Sequence, residues 1–110
     1  MAGWYELSNS NNGQFRFVLK AANAETILTS ELYTTRSAAE SGIVSVQTNS
    51  PHGERYEKKV ASNGQSYFNL KAANHQVIGT SEQYSSTAAR DNGIASVKTN
   101  GPSTTIKDKT

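Results

Sequence analysis

The chain carries one pattern twice, and no other feature constrains its fold as much. Residues 17–51 read FVLKAANAETILTSELYTTRSAAESGIVSVQTNSP, and residues 68–102 read FNLKAANHQVIGTSEQYSSTAARDNGIASVKTNGP. The offset is 51 residues throughout, without a gap, and about half of the positions are identical. A period of that size marks each copy as one supersecondary unit. A unit of about fifty residues buries too little surface to be more than marginally stable alone. The 110 residues are therefore expected to form a single domain, 1–110. Within it, repeats 1–51 and 52–102 share a core, and residues 103–110 add a C-terminal strand and tail.

Each copy changes its period part-way. Phe15, Phe17 and Leu19 alternate with Arg16, Val18 and Lys20, the mark of a half-buried strand. Tyr67 to Lys71 repeats the alternation, with Phe68 and Leu70 on the inner face. An earlier strand is expected from Trp4 to Ser8 and from Arg55 to Ala61. Asn12-Gly13 and Asn63-Gly64 connect the two, since Asn-Gly accepts positive φ at both central turn positions. Ala21 to Asn23 and Ala72 to Asn74 read as second hairpin turns, with Asn tolerating the left-handed region. Third strands follow at Glu25 to Ser30 and Gln76 to Ser81. From Arg36 to Asn49 the apolar residues recur every three or four positions, which predicts a helix. Gly93, Ile94 and Val97 repeat that stripe. Thr35 and Ser86 are the expected N-caps, with Ser37 and Glu40 an alternative capping box in the first copy. Asn49-Ser50-Pro51 and Asn100-Gly101-Pro102 stop the helices.

These readings define an α+β fold built from two tandem β-β-β-α units. The sheet is expected to be antiparallel with both helices on one face, and pseudo-twofold symmetric. A short closing strand is expected over Ser103 to Lys107, then a frayed tail from Asp108 to Thr110. The repeated Gly-x-Phe-x-x-x-Leu-Lys-Ala-x-Asn, Thr-Ser-Glu-x-Tyr and Gly-Ile-x-Ser-Val motifs resemble those of the YegP-like proteins over nearly the whole chain. The resemblance implies a tandem β-β-β-α repeat in one sheet, exchanged C-terminal strands and a small bacterial cytoplasmic protein. It implies no activity.

Composition narrows the chemistry. There is no cysteine, so no disulfide, thiolate nucleophile or thiolate metal site forms. The opening MAGWYELSNS lacks the basic and apolar regions of a secretion signal, and no apolar run is long enough to span a membrane. A cytoplasmic location is the expectation. A net charge of +2 is too small by itself to indicate a nucleic-acid partner.

The candidate residues fall into two groups. Arg16, Lys20, Tyr67 and Lys71 lie on the polar side of the alternating strands, and Trp4 joins them if Tyr5 and Leu7 face inward. Aromatics among Arg and Lys on an open sheet suit single-stranded nucleic acid, because rings stack on bases and cations meet phosphates. The same residues also serve as ordinary cross-strand pairs on a solvated face. The second group is the repeated Thr-Ser-Glu-x-Tyr. Glu31 and Glu82, or Tyr33 and Tyr84, would be paired acid–base groups if their environments separated their pKa values. The motif is also a natural strand ending, with the tyrosine ring packed under the helix. His52 and His75 do not repeat and read as turn residues. Gly42 and Gly93, inside the helices, suggest close approach of another backbone. No residue set calls for a metal or cofactor. The resulting expectation is a non-catalytic binding or accessory module acting through the polar sheet face, monomeric, with a protein or nucleic-acid partner. The alternatives are a single-stranded nucleic-acid binder, an enzyme with symmetric Glu/Tyr pockets, and a structural or assembly role in which a sheet edge pairs with a partner strand.

Overall fold

Each alternating run forms a strand, and each run with a period near 3.6 forms a helix. The computed structural model describes residues 3–10 and 12–110. In chain order the elements are β1 (Trp4–Asn9), β2 (Phe15–Lys20), β3 (Thr26–Ser30) and α1 (Arg36–Asn49), then a 3₁₀ turn (Gly53–Arg55). There follow β4 (Tyr56–Val60), β5 (Ser66–Lys71), β6 (Val77–Thr80), α2 (Thr87–Asn100) and β7 (Ile106–Asp108). Thr35 and Ser86 cap the helices as expected, their hydroxyls accepting from the amides of Ala38 and Ala89 at 3.0 Å each.

The seven strands form one sheet in the order β4-β5-β6-β3-β2-β1-β7. The two copies meet at its centre, where β3 pairs with β6 antiparallel and Thr29 lies opposite Thr80. Those residues are 51 apart, so a pseudo-twofold axis passes between them. The sheet is mixed rather than purely antiparallel, because β7 runs parallel to β1. The Tyr5 hydroxyl donates to the Gly101 carbonyl at 2.6 Å. This fixes the end of α2 over β1, and the chain then continues alongside β1 in the same direction. The closing strand starts later than the sequence suggests, and the tail is docked. The Lys109 amide donates to the Leu7 carbonyl at 2.8 Å, and Arg36 pairs with Asp108.

Inward-facing residues build the core: Tyr5, Leu7, Phe17 and Leu19 from one half, Phe68 and Leu70 from the other, under Ile43, Val46, Ile94 and Val97 of the helices. Each such side chain contributes about 1.5–3 kcal/mol through removal from water. Gly42 and Gly93 do not admit another backbone. A Cβ on Gly42 would collide with the Tyr33 hydroxyl, and one on Gly93 with that of Tyr84. Those tyrosines stack on Phe17 and Phe68, at 6.2 and 6.5 Å between ring centroids.

The turns hold a second difference. Positive φ falls on Gly13 and Gly64 alone in the first pair, and on Ala24 and His75, not on Asn23 and Asn74, in the second. The asparagines act through their side chains. Asn23 Oδ1 accepts from the Glu25 amide and Asn74 Oδ1 from the Gln76 amide, both at 3.1 Å.

Candidate functional site

The helices cover one face of the sheet, and strand alternation delivers the polar residues to the other. Strand register sets a line across that open face: Glu57, Asn69, Thr80, Thr29, Val18, Glu6, Lys107. The candidates flank this line in two pairs. Lys20 and Tyr67 lie toward one end of the sheet, Arg16 and Lys71 toward the other, because β2 and β5 run in opposite directions. β2 and β5 are three strand spacings apart, about 14 Å. The four residues thus spread over a surface and do not converge on a pocket. Trp4 lies opposite Lys20 on β1.

Trp4 is already engaged. Its indole N–H donates to Glu6 Oε2 at 2.9 Å, and Lys107 Nζ stands 4.1 Å from its ring centroid, a cation–π contact. The indole hydrogen bond, aided by Lys109, Lys20 and Lys107, holds the Glu6 carboxyl below the usual range. In the second copy Lys71 takes the place of the indole, with Nζ 3.0 Å from Glu57 Oε1. That contact, together with Lys59, lowers the Glu57 carboxyl. Arg16 and Lys20 have no carboxylate within 4.0 Å among the described residues. They are the available cations of this face, with Tyr67, half-exposed, its available ring.

The Glu/Tyr motif does structural work. Ser30 Oγ accepts from the Phe17 amide at 2.9 Å and donates to the Glu31 carbonyl at 2.7 Å. Ser81 does the same for Phe68 and Glu82. Glu31 and Glu82 are exposed. With Thr29 opposite Thr80, they leave opposite ends of β3 and β6, some four residues or about 13 Å apart along the strands. Burial raises the pKa of the Tyr33 and Tyr84 hydroxyls, and Glu31 and Glu82 add to the respective shifts. A phenol shifted in that direction is a poor base at neutral pH.

Two clefts flank β4. One, of about 380 Å³, opens where β4 begins and is lined by Glu54, Arg55, Tyr56, Glu57, Lys71, Ala72, Ala73 and His75. At the same place in the first copy β1 extends one residue further, and Trp4 pairs with Lys20. Arg55, the counterpart of Trp4, turns away to donate to Asn49 Oδ1. The other, of about 260 Å³, lies between β4 and α2 and is lined by Gly53, Tyr56, Lys58, Asp91, Ile94, Ala95 and Lys98. Of the sequence-derived binding candidates, Lys71 borders one of these two clefts, beside His75. The groove beside α2 escaped sequence reasoning. Its one signal is the replacement of inward-facing Leu7 by Lys58 at the same repeat position. His52 and His75 lie in separate turns, and no group of three or more metal-ligating side chains occurs among the described residues.

Comparison with known proteins matches this architecture to a family. The model for a domain of unknown function, DUF1508, matches residues 10–57 and again 61–108. The chain belongs to the DUF1508 family. It is 67% identical over 110 residues to the UPF0339 protein YegP of Escherichia coli (strain K12), covering 100% of both chains. It is 71% identical over 110 residues to a UPF0339 protein of Shewanella oneidensis, again covering 100% of both. The solution NMR structure of E. coli yegP, described as a protein of unknown function, superposes with a TM-score of 0.94, covering 99% of this chain and 94% of that one. The solution structure of the Shewanella protein SO3888 gives 0.92, covering 98% and 92%. The family accounts for the tandem repeat and the α+β fold. No helix among the described residues is long and apolar enough to cross a membrane.

Proposed function

We propose that the chain is a non-catalytic binding module whose uncovered sheet face docks another protein. One observation supports this reading above the others. The helices pack on one side of the seven strands, while the opposite side presents both signs of charge: Glu6 and Glu57 beside Lys107 and Lys71, with Arg16 and Lys20 free. A mixed face suits a protein of complementary pattern. A polyanion wants several clustered, uncommitted cations, and Lys71 and the Trp4 ring are already occupied. Shape favours binding over catalysis, since the repeated carboxylates are exposed and far apart.

The test is charge reversal at Arg16→Glu with Lys20→Glu. Affinity capture with the unmodified chain should retain a protein that the double variant loses at least about tenfold, a loss of about 1.4 kcal/mol. Equal retention by both chains refutes the reading. In parallel, amide shifts on Arg16 and Tyr67 with a short single-stranded oligonucleotide, steeply weakened by salt, would move the assignment to nucleic acid.

A further inference from the structure

The two copies differ most at the outer edges of the sheet. On the β1 side the edge is covered by β7. The Tyr5 amide donates to the Thr105 carbonyl at 2.9 Å, and the Leu7 carbonyl accepts from Lys109 at 2.8 Å. From α1, Gln47 Nε2 donates to the Ser103 carbonyl at 2.9 Å, and Arg36 holds Asp108. Ile106 is in register with Tyr5, and Asp108 with Leu7. Under this cover Tyr5 and Leu7 are buried.

On the far side β4 pairs with β5 alone. Tyr56 pairs with Leu70 as Tyr5 does with Leu19, so the backbone groups that meet β7 in the first copy point outward here. The Tyr56 amide turns back on the Gly53 carbonyl. The Lys58 and Val60 edge groups have no backbone partner among the described residues. Val60 is 68% exposed. Beside this edge lies the 260 Å³ groove. Its lining holds the repeat counterparts of residues that border the closing segment, Tyr56 for Tyr5, Lys58 for Leu7 and Lys98 for Gln47, together with Ile94, the counterpart of core residue Ile43. The molecule therefore holds the same groove twice, once filled by its own strand and once open.

We propose that the β4–α2 groove docks an extended segment of another polypeptide, which adds parallel to β4 as β7 adds to β1. Strand addition supplies main-chain hydrogen bonds for affinity and alternate side-chain pockets for specificity. The filled groove shows the pattern required. An apolar residue faces Tyr56, as Ile106 faces Tyr5. Two residues later an acidic one faces Lys58. Lys98, whose Nζ now stands 5.9 Å from the Tyr56 ring centroid, is placed to donate to a strand carbonyl as Gln47 does. Lys58 pairs with Asp91 at 3.3 Å, and Arg90 also holds Asp91, at 3.1 Å. A visiting carboxylate can therefore take Lys58 without leaving Asp91 alone. Lysines guard an open edge against non-specific strand pairing, so here Lys58 selects a strand that places a carboxylate opposite it. This groove is separate from the open face, and its test does not depend on that face.

The probe is a synthetic peptide with the sequence of residues 103–110, which has the required pattern, titrated into the ¹⁵N-labelled full chain. Shifts are expected at Lys58, Val60, Ile94 and Ala95 and should persist in the Arg16→Glu, Lys20→Glu variant. Replacing the peptide's aspartate by lysine should weaken binding about tenfold, and Lys58→Glu in the protein should restore that peptide's affinity. If Lys58→Glu does not fold, the two peptides on the unmodified chain still decide. No shift at millimolar peptide overturns the proposal. So do equal affinities of the two peptides, or shifts confined to Tyr5 and Leu7, which mean displacement of β7. Concentration-dependent dimerisation with shifts at both β4 and β7 would assign the groove to a second copy and overturn the foreign segment.

Discussion

In each of the four hairpin turns an asparagine side chain accepts from the amide two residues on. The pairs are Asn12 to Gln14, Asn23 to Glu25, Asn63 to Gln65 and Asn74 to Gln76, at 3.4, 3.1, 3.0 and 3.1 Å. The residue between takes positive φ: Gly13 at 81°, Ala24 at 71°, Gly64 at 83° and His75 at 69°. One backbone solution is thus used four times, twice with the residue suited to it and twice without. A Cβ in the left-handed region costs about 1–2 kcal/mol, partly offset by the greater unfolded-state freedom of glycine. Ala24→Gly should therefore stabilise the protein by about 0.5–1 kcal/mol. Gly64→Ala should destabilise it by a similar amount, since a Cβ there meets nothing within 4 Å and only the backbone pays. Urea unfolding measures both, and changes of the same sign would refute the account. The turns were legible from Asn-Gly and Ala-Ala-Asn, but the site of strain was not, because the sequence signal falls on Asn23 and Asn74 and the positive φ on the residue after each.

Secondary-structure elements were readable where the cause is local. Thr35 and Ser86 cap helices within their own segment, and the period of each strand is its own. The helix ends at Asn49 and Asn100 were legible from the Asn-x-Pro stops, but the side chains that cap them were not, because they come from the other copy. Tyr5 caps α2 from 96 residues away, and Tyr56 donates to the Ser50 carbonyl at the end of α1 at 2.7 Å. Asn100 Oδ1 accepts from the Gly3 amide at 2.7 Å. Each helix is thus closed by the first strand of the other copy. Burial, together with the Tyr56 hydroxyl, pushes the Tyr5 hydroxyl well above the usual phenol range, and burial does the same to Tyr56. The unfolded phenol ionises near pH 10, and the folded one ionises later. Between those values the unfolded state binds fewer protons, so stability is complete below about pH 10 and falls as pH rises toward the folded pKa. Tyr5→Phe should cost about 1–2 kcal/mol at neutral pH, through an orphaned buried carbonyl, and should flatten the alkaline decline. Urea midpoints at pH 8 and 11 for the two proteins test this, and parallel declines would contradict it. The candidate site followed the same division. Alternation placed Arg16, Lys20, Tyr67 and Lys71 on one face, but the contacts that occupy Trp4 and Lys71 depend on cross-strand register and on the tail.

At the scale of the molecule, the repeat predicts an axis but not what meets on it. Residues that share a repeat position face each other there, so two large side chains would compete for one space. The chain resolves this twice by pairing a side chain with a glycine. Leu28 lies over Gly79, where a Cβ would fall 2.7 Å from a leucine methyl. Ser50 packs on Gly101, where a Cβ would collide with the serine side chain. In the sequence these look like drift between copies, whereas across the axis each difference makes room for its partner. Gly101→Ser alone should therefore cost about 1–3 kcal/mol by overpacking. Ser50→Gly removes a buried hydroxyl that has no hydrogen-bond partner among the described residues. Combining them moves the side chain to the other copy across the same axis. The double variant should recover to within about 1 kcal/mol of the parent, a coupling expected only of residues in contact. A double-mutant cycle by urea unfolding gives that coupling. If the two effects simply add, the copies do not meet at these positions, and their divergence has some other cause.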